Sequence, residues 1–391
     1  MLASFALLLL SGLFLSLLFQ RAHLPGLLGM LIAGIVLGPY AFDLLDNSLL
    51  AISPEIRQLA LIVILARAGL LLNADELKKV GRPAVLMCFL PAFFEMAGVM
   101  LVASKFLHLS LLEAALAGAV LVAVSPAIVV PKMSTLMKTH YGTEKAIPQM
   151  LIAGGSVDAI FAVVIFSAVI GIAQGGTLSA LALLRVPVSI LLGIAGGSVF
   201  GLVLNRFFIT FRMPSQPQAI VFFCASILAV AFESVISFPF SGLLAVMGMG
   251  AAIRGKNKTG AARLSKTYEI LWFPLEILLF ALVGAAIDLP YTFAAGGTAI
   301  FVVFCALLFR SAGVWICLLR TAFSTKERFF CTIAYLPKAT VQAALGAIPL
   351  SFGLPCGPII LALAALSILI TTPLGALGID LLYPRLLRQN L

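Results

Sequence analysis

The sequence predicts an all-α polytopic membrane protein of about thirteen transmembrane helices, arranged as an inverted repeat. Three observations predict it. Hydrophobic residues make up 62% of the 391 residues and charged residues only 10%, against roughly 25% charged in a soluble domain. Lys and Arg gather at alternate connections between apolar runs. Helix-breaking residues recur at two matched positions, one in each half of the chain.

A helix needs about 20 apolar residues to cross a bilayer. Runs of that character lie at about 2–19, 24–40, 55–73, 83–104, 110–131, 146–172, 179–204, 217–232, 237–253, 268–288, 293–319, 328–349 and 356–384. Unbroken apolar runs exclude an outer-membrane barrel, whose strands alternate apolar and polar residues. The first run lacks the basic start of a signal peptide and reads as a retained helix. Connections are short, so residues 1–391 read as a single transmembrane domain. The six cysteines fall in or beside apolar runs, with no CxxC or His-paired spacing, and read as small core residues. No cofactor and no resident metal is expected.

A net charge of +10 would suggest nucleic acid in a soluble protein. Here its placement says otherwise. Arg21, Lys78, Lys79, Lys132, Lys138, Lys145, Arg206, Arg212, the cations of 254–266, Arg320, Lys326, Arg328, Arg385 and Arg388 all follow odd-numbered runs. By the positive-inside rule these connections are cytoplasmic. The N-terminus is then outside and the C-terminus inside, in contact with membrane lipid and not with nucleic acid. A bacterial inner membrane is the expected location.

Six ionisable residues fall deep inside runs: Glu95, Asp158 and Glu276 against Arg67, Arg310 and Lys338. Each costs about 2.5–3.5 kcal/mol at a helix centre on insertion scales, so equal numbers suggest pairing. Glu95 with Arg310 reads as a structural ion pair. Arg67 reads as an anchor to helix-end carbonyls, and Glu276 as protonated or paired in a helix contact. Asp158 differs. It follows Gly154 and Gly155, small residues that leave space around a carboxylate, and reads as functional.

Pro126 and Pro131 interrupt the fifth run, and Tyr335–Pro337–Lys338 interrupts the twelfth. Proline removes a backbone donor and clashes with the preceding turn. Unwound backbone inside a membrane is tolerated only within protein or beside water. The two interruptions are seven runs apart, as are the runs of Glu95 and Arg310. An odd shift reverses orientation, which makes 1–172 and 217–391 inverted halves with 179–204 as linker. Inverted repeats with broken helices mark secondary transporters. Neither a selectivity-filter loop nor a nucleotide motif is present in the sequence, so a channel, an ATP-driven pump and an enzyme are disfavoured.

The stretches VSPAIVVPKM, YGTEKAIPQMLIAGGSVDAIFAVV and YLPKATVQAALG resemble the sodium/proton antiporters of the cation/proton antiporter superfamily, in particular its NHA branch. LLGMLIAGIVLG and LARAGLLL fit as well, and the likeness runs from about residue 24 to the C-terminus. The resemblance implies an NhaA-type fold with two crossed broken helices and a homodimer. It also implies a moving core bundle of about 83–172 and 293–384. Asp158 takes the position of the ion-binding aspartate, Lys338 sits beside it at the second break, and Glu95 and Arg310 pair across the repeats. One departure stands out: Val157 occupies a place where many relatives carry an acid or Asn.

The function implied is exchange of a monovalent cation (Na⁺, with Li⁺ or K⁺ open) for protons, by alternating access at a single buried aspartate. One carboxylate cannot hold a proton and a cation well at once, and that competition is the basis of exchange. Hard cations want oxygen ligands. Ser156, Ser125, Thr340 and freed backbone carbonyls are candidates beside Asp158. One proton for one monovalent cation predicts electroneutral exchange. Two other readings stay open: a sodium-coupled organic-anion symporter of related fold, which a deep aspartate disfavours, and a non-transporting membrane sensor, to which Val157 points.

Overall fold

The computed structural model describes residues 1–72, 81–173, 180–236 and 238–389. Lys78 and Lys79 of the charge pattern, the first residue of the seventh run, and the side chains of Ser156 and Arg185 lie outside the described residues. In chain order the described helices are α1 (Leu2–Arg21), α2 (Gly26–Leu37), α3 (Asn47–Ala51), α4 (Ser53–Leu71), α5 (Arg82–Met87), α6 (Leu90–Phe106), α7 (Leu111–Leu121), α8 (Pro126–Lys138) and α9 (Ile147–Ala173). They continue as α10 (Ala180–Thr210), α11 (Ser215–Val235), α12 (Gly242–Lys256), α13 (Lys258–Ala285), α14 (Leu289–Cys317), α15 (Thr325–Ala334), α16 (Thr340–Leu345), α17 (Ile348–Ser351) and α18 (Gly357–Leu386).

Among the described residues the fold is all-helical, with one isolated bridge between Tyr141 and Gln389. Among the described residues, nine spans are long and apolar enough to cross a membrane by length and composition, and two shorter apolar helices, Gly26–Leu37 and Thr340–Ser351, accompany them. The expected count of about thirteen is larger. The third and ninth runs explain part of the difference. The third folds as α4, which carries Glu55, Arg57 and Arg67. The ninth folds as α12, with only 15 residues and a basic last turn.

Local chemistry places the interruptions. Both broken runs open on a capping box: Ser110 with Glu113 starts α7, and Ser324 with Glu327 starts α15. Each pairs two end-of-helix N–H groups with side chains. The fifth run then leaves the helix at Val122–Ser125 and resumes at Pro126, the first residue of α8. Proline is suited to that position, where its missing N–H has no helical partner to lose. Pro131 was expected to be a second interruption and is not one. It lies inside α8, which runs unbroken to Lys138. A ring there removes one backbone bond, and the surrounding helix carries the loss. The twelfth run leaves the helix at Tyr335–Ala339, around Pro337, and resumes at Thr340. A third interruption, not anticipated, separates α5 from α6 at Cys88–Phe89, just before Pro91.

The chain divides into two compact units. One comprises Met1–Pro54, Asp75–Ala173 and Ile277–Leu391. Both interruptions lie in it, around a buried cluster that includes Met87, Val124, Met150, Val314, Phe330 and Tyr335. The long helix α18 packs along α14, α15 and α8. The other unit comprises Glu55–Ala74 and Gln174–Glu276. In it Gly193, Gly197 and Gly201 of α10 face the backbone of Ser241, Ala245 and Met249, where no side chain would fit. Small residues permit such close approach between membrane helices.

Candidate functional site

Four charged side chains from four separated stretches of sequence meet inside the first unit. Glu95 comes from α6, Asp158 from α9, Arg310 from α14 and Lys338 from the second interruption. All four are buried, none more than 1% exposed. Arg310 sits at the centre. Its Nη1 donates to Glu95 Oε2 at 2.8 Å and its Nη2 to Asp158 Oδ2 at 2.8 Å. Lys338 Nζ donates to the same Glu95 oxygen at 2.6 Å. Two acids thus face two bases. Buried charges persist when paired and hydrogen-bonded in this way.

Two details differ from expectation. Arg310 was read as the partner of Glu95, yet it also grips Asp158. Lys338 was placed against Asp158, yet its ammonium reaches Glu95. A guanidinium explains the first difference, because its planar fork offers donors in several directions. Arg310 uses more than the two that hold the acids: Nε donates to Tyr335 O at 2.7 Å, and Nη1 also donates to Val122 O. Its guanidinium carbon lies 4.9 Å from the centre of the Tyr335 ring. One side chain therefore bonds backbone carbonyls of both interruptions and both acids.

Asp158 is held on one side only. Oδ2 accepts from Val124 N at 2.8 Å and from Arg310. Oδ1 is buried and has no hydrogen-bond partner. The hydroxyl oxygens of Ser125 and Thr340 are buried without a partner as well. These belong to the same junction. Ser125 follows Val124 in the chain and its N–H donates to Pro337 O at 2.8 Å. Thr340 opens α16 three residues beyond Pro337. Buried polar atoms are nearly always paired, so the unpaired oxygens of Asp158, Ser125 and Thr340 stand out, and oxygen is the ligand type that a hard cation takes.

The freed carbonyls expected as ligands are largely taken. Gln342 Nε2 donates to Leu121 O at 3.0 Å and Ala123 O at 2.8 Å, and Arg310 takes Val122 O. In the second interruption Lys338 N donates to Thr371 Oγ1 at 2.8 Å, and Thr372 Oγ1 donates to Lys338 O. The glycines before Asp158 also act differently from expectation. They admit neighbours instead of leaving space: a Cβ on Gly154 would meet Met87 and the Tyr335 hydroxyl, and one on Gly155 would meet Val124.

Ser156 lies outside the described side chains. Pro126 and Pro337 lie at the two interruptions, and Pro131 does not. Arg67 and Glu276 fold in the other unit. Arg67 was read as an anchor to helix-end carbonyls. It pairs with Glu269 instead, Nη2 to Oε1 at 3.0 Å, with both side chains partly exposed. Glu276 lies on α13, four residues after Trp272. Sequence reasoning missed Gln342, Thr371 and Thr372, and named Tyr335 for its place in the interruption and not for its contact with Arg310. Their one signal is a polar group inside an otherwise apolar run, which is weak for a neutral side chain.

The whole-chain comparison decides the family. The model of the family described as sodium/hydrogen exchanger, transmembrane, matches residues 5–382. The chain belongs to the sodium/hydrogen exchanger family. Sodium/hydrogen exchanger 9B2 of Homo sapiens is 36% identical over 388 residues, covering 94% of this chain and 70% of that protein. Sodium/hydrogen exchanger 9B1 of Homo sapiens is 31% identical over 392 residues, covering 94% and 73%. These relatives agree with the resemblance to the NHA branch, and they are transporters rather than enzymes. The structure of the sodium proton antiporter MjNhaP1 from Methanocaldococcus jannaschii matches with a TM-score of 0.86 at 18% identity, over 98% of both chains. At that identity the likeness establishes the fold. The protein is an integral membrane protein of this exchanger family. The named relatives are human, so they lend no support to a bacterial inner membrane.

Proposed function

We propose that the protein exchanges Na⁺ for H⁺ by alternating access, with Asp158 as the single exchanging carboxylate. The observation that carries this reading is the half-satisfied Asp158: Oδ2 takes two donors while buried Oδ1 takes none. A proton or a cation can occupy Oδ1, and each removes the attraction for the other. Ser125 Oγ and Thr340 Oγ1 supply further oxygens to the cation form, with Ser156 as a further candidate. Hard cations select such ligands.

The partners of the cluster give the exchange its charge balance. Asp158 and Glu95 are matched by Arg310 and Lys338. A cation arriving at Oδ1 as a proton leaves it keeps the loaded carrier at constant charge. Exchange of one for one is therefore electroneutral. The two interruptions act as the crossed pair of an inverted repeat, with core bundle 83–172 and 293–384. The positive-inside pattern supports a cytoplasmic C-terminus, and the family resemblance supports a homodimer in contact with membrane lipid.

The test is ion-driven proton flux in liposomes holding the purified protein. NaCl, LiCl, KCl or choline chloride is added outside an acidic lumen. Alkalinisation by Na⁺ is expected for the wild type, unaffected by an imposed membrane potential. Asp158→Asn is expected to lose it while remaining folded and monodisperse. Exchange retained in Asp158→Asn overturns the assignment. Silence of the folded wild type with every cation overturns the antiport reading and favours the symporter or the sensor.

A further inference from the structure

Where the two interruptions meet, the backbone exposes groups that a continuous helix would have paired. Unpaired, each would cost free energy inside the membrane. On the first interruption these include the carbonyls of Leu121, Val122 and Ala123. On the second they include the N–H of Ala339. One neutral side chain serves both. Gln342, in the first turn of α16 and fully buried, donates from Nε2 to Leu121 O and Ala123 O and accepts at Oε1 from Ala339 N at 2.9 Å. Arg310 takes the carbonyl between them.

We propose that Gln342 is a positioning residue that determines cation selectivity, by withholding the Leu121 and Ala123 carbonyls from the ion and fixing Thr340 relative to Ser125. The proposal rests on the reading of Asp158 as the exchange site. Chain connectivity places the withheld carbonyls beside that site, since Val124 N, one residue on, donates to Asp158 Oδ2. Gln342 itself is two residues beyond Thr340. With both carbonyls occupied, the protein offers the cation a small set of side-chain oxygens. Freed, they would add two strong acceptors of the kind that replaces the hydration shell of a larger cation. An amide suits the task because it alone donates twice and accepts once in one planar group. A carboxylate in its place accepts from Ala339 N but repels both carbonyls. Once protonated, it donates to one of them.

Two variants test this, Gln342→Met and Gln342→Glu, with Asp158→Asn measured in parallel. Apparent KM values for Li⁺, Na⁺ and K⁺ are read from ion-driven proton flux in liposomes, across a range of pH. Gln342→Met is expected to shift the ratio of KM for K⁺ to KM for Na⁺ towards K⁺ by about tenfold, the effect of losing buried hydrogen bonds. Gln342→Glu is expected to keep Na⁺ exchange at acidic pH and lose it as pH rises, giving a profile displaced to the acid side of the wild type. A change in packing alone would lower the rate for all cations equally and leave the pH profile in place. That outcome, or wild-type selectivity and pH profile in both variants, overturns the proposal. Failure of both variants to fold also overturns it, because a positioning role requires a fold that survives the change. Exchange persisting in Asp158→Asn would instead strike the exchange-site reading, whatever Gln342 does.

Discussion

The two interruptions do the same thing to the backbone and are repaired in opposite ways. At Val122–Ser125 the freed carbonyls are taken by donors from elsewhere, Arg310 on α14 and Gln342 on α16. The stretch contributes no charge of its own. At Tyr335–Ala339 the chain carries a cation, Lys338, whose backbone is clasped by Thr371 and Thr372 of α18 and whose ammonium reaches Glu95. The first interruption is thus neutral and held by donors from neighbouring helices. The second carries a charge of its own, while its Tyr335 and Pro337 carbonyls still accept, from Arg310 and from Ser125 N–H. On the proposed exchange reading, a cation held beside the first stretch would leave the charges of the second paired. Arg310 bonds both stretches with a charged group, through Val122 O and Tyr335 O, as Gln342 does with a neutral one, through Ala123 O and Ala339 N.

The sharpest way to break that arrangement is to remove what the two stretches share. Arg310→Ala leaves Asp158 and Glu95 facing each other's side of the cluster with only Lys338 between them, and strands two carbonyls. Truncating one member of a buried charge pair costs about 3–5 kcal/mol. The largest loss of thermal stability is therefore expected here, together with loss of Na⁺-driven flux, since Asp158 loses a donor as well. Lys338→Met, which leaves Glu95 still paired to Arg310, is expected to cost clearly less in the same thermal-unfolding assay. Equal losses would mean that Arg310 does not join the two stretches.

How much of this was legible in the sequence follows from the same contrast. Charges inside apolar runs are costly enough to be visible, so Glu95, Asp158, Arg310 and Lys338 could be named from sequence. Their pairing could not, because a guanidinium with several free directions leaves its partners open until the helices are placed. Neutral clamps are nearly silent: Gln342 and Thr371 look like ordinary polar residues until their carbonyl and N–H partners are known. Proline spacing located both interruptions but overstated one, since Pro131 is tolerated within α8. Span counting is least certain to match where helices are short or charged, as α4 and α12 are.

A smaller effect is expected from the packing of the second interruption. Gly375 of α18 lies against the Pro337 ring so closely that an added Cβ would overlap Pro337 Cγ. Neither partner is flexible. Gly375→Ala is expected to destabilise by about 1–3 kcal/mol, the usual cost of overpacking. It should also raise the apparent KM for Na⁺, because Pro337 O carries the N–H of Ser125. Ala tolerated without change in either quantity would mean that α18 does not set the position of this stretch.

The smallest effect should come from an ion pair that belongs to neither interruption and so serves as the control. Lys145 Nζ lies 2.8 Å from Glu327 Oε2, at the cap of α15. Burial raises the Glu327 pKa, but hydrogen bonds from Lys145 and from the Ser324 N–H outweigh it and hold the carboxyl below the usual glutamate range. A carboxyl whose folded pKa is depressed contributes stability above its unfolded value, about 4.3, and loses it as pH falls through the folded value. Glu327→Gln is thus expected to cost about 1–2 kcal/mol at neutral pH, the worth of hydrogen bonds to a charged group. The difference from wild type should shrink as pH drops below about 4. Flux and cation selectivity should be unchanged. If Glu327→Gln altered selectivity as Gln342→Met is expected to, the distinction between site-forming and merely stabilising charge pairs in this unit would collapse.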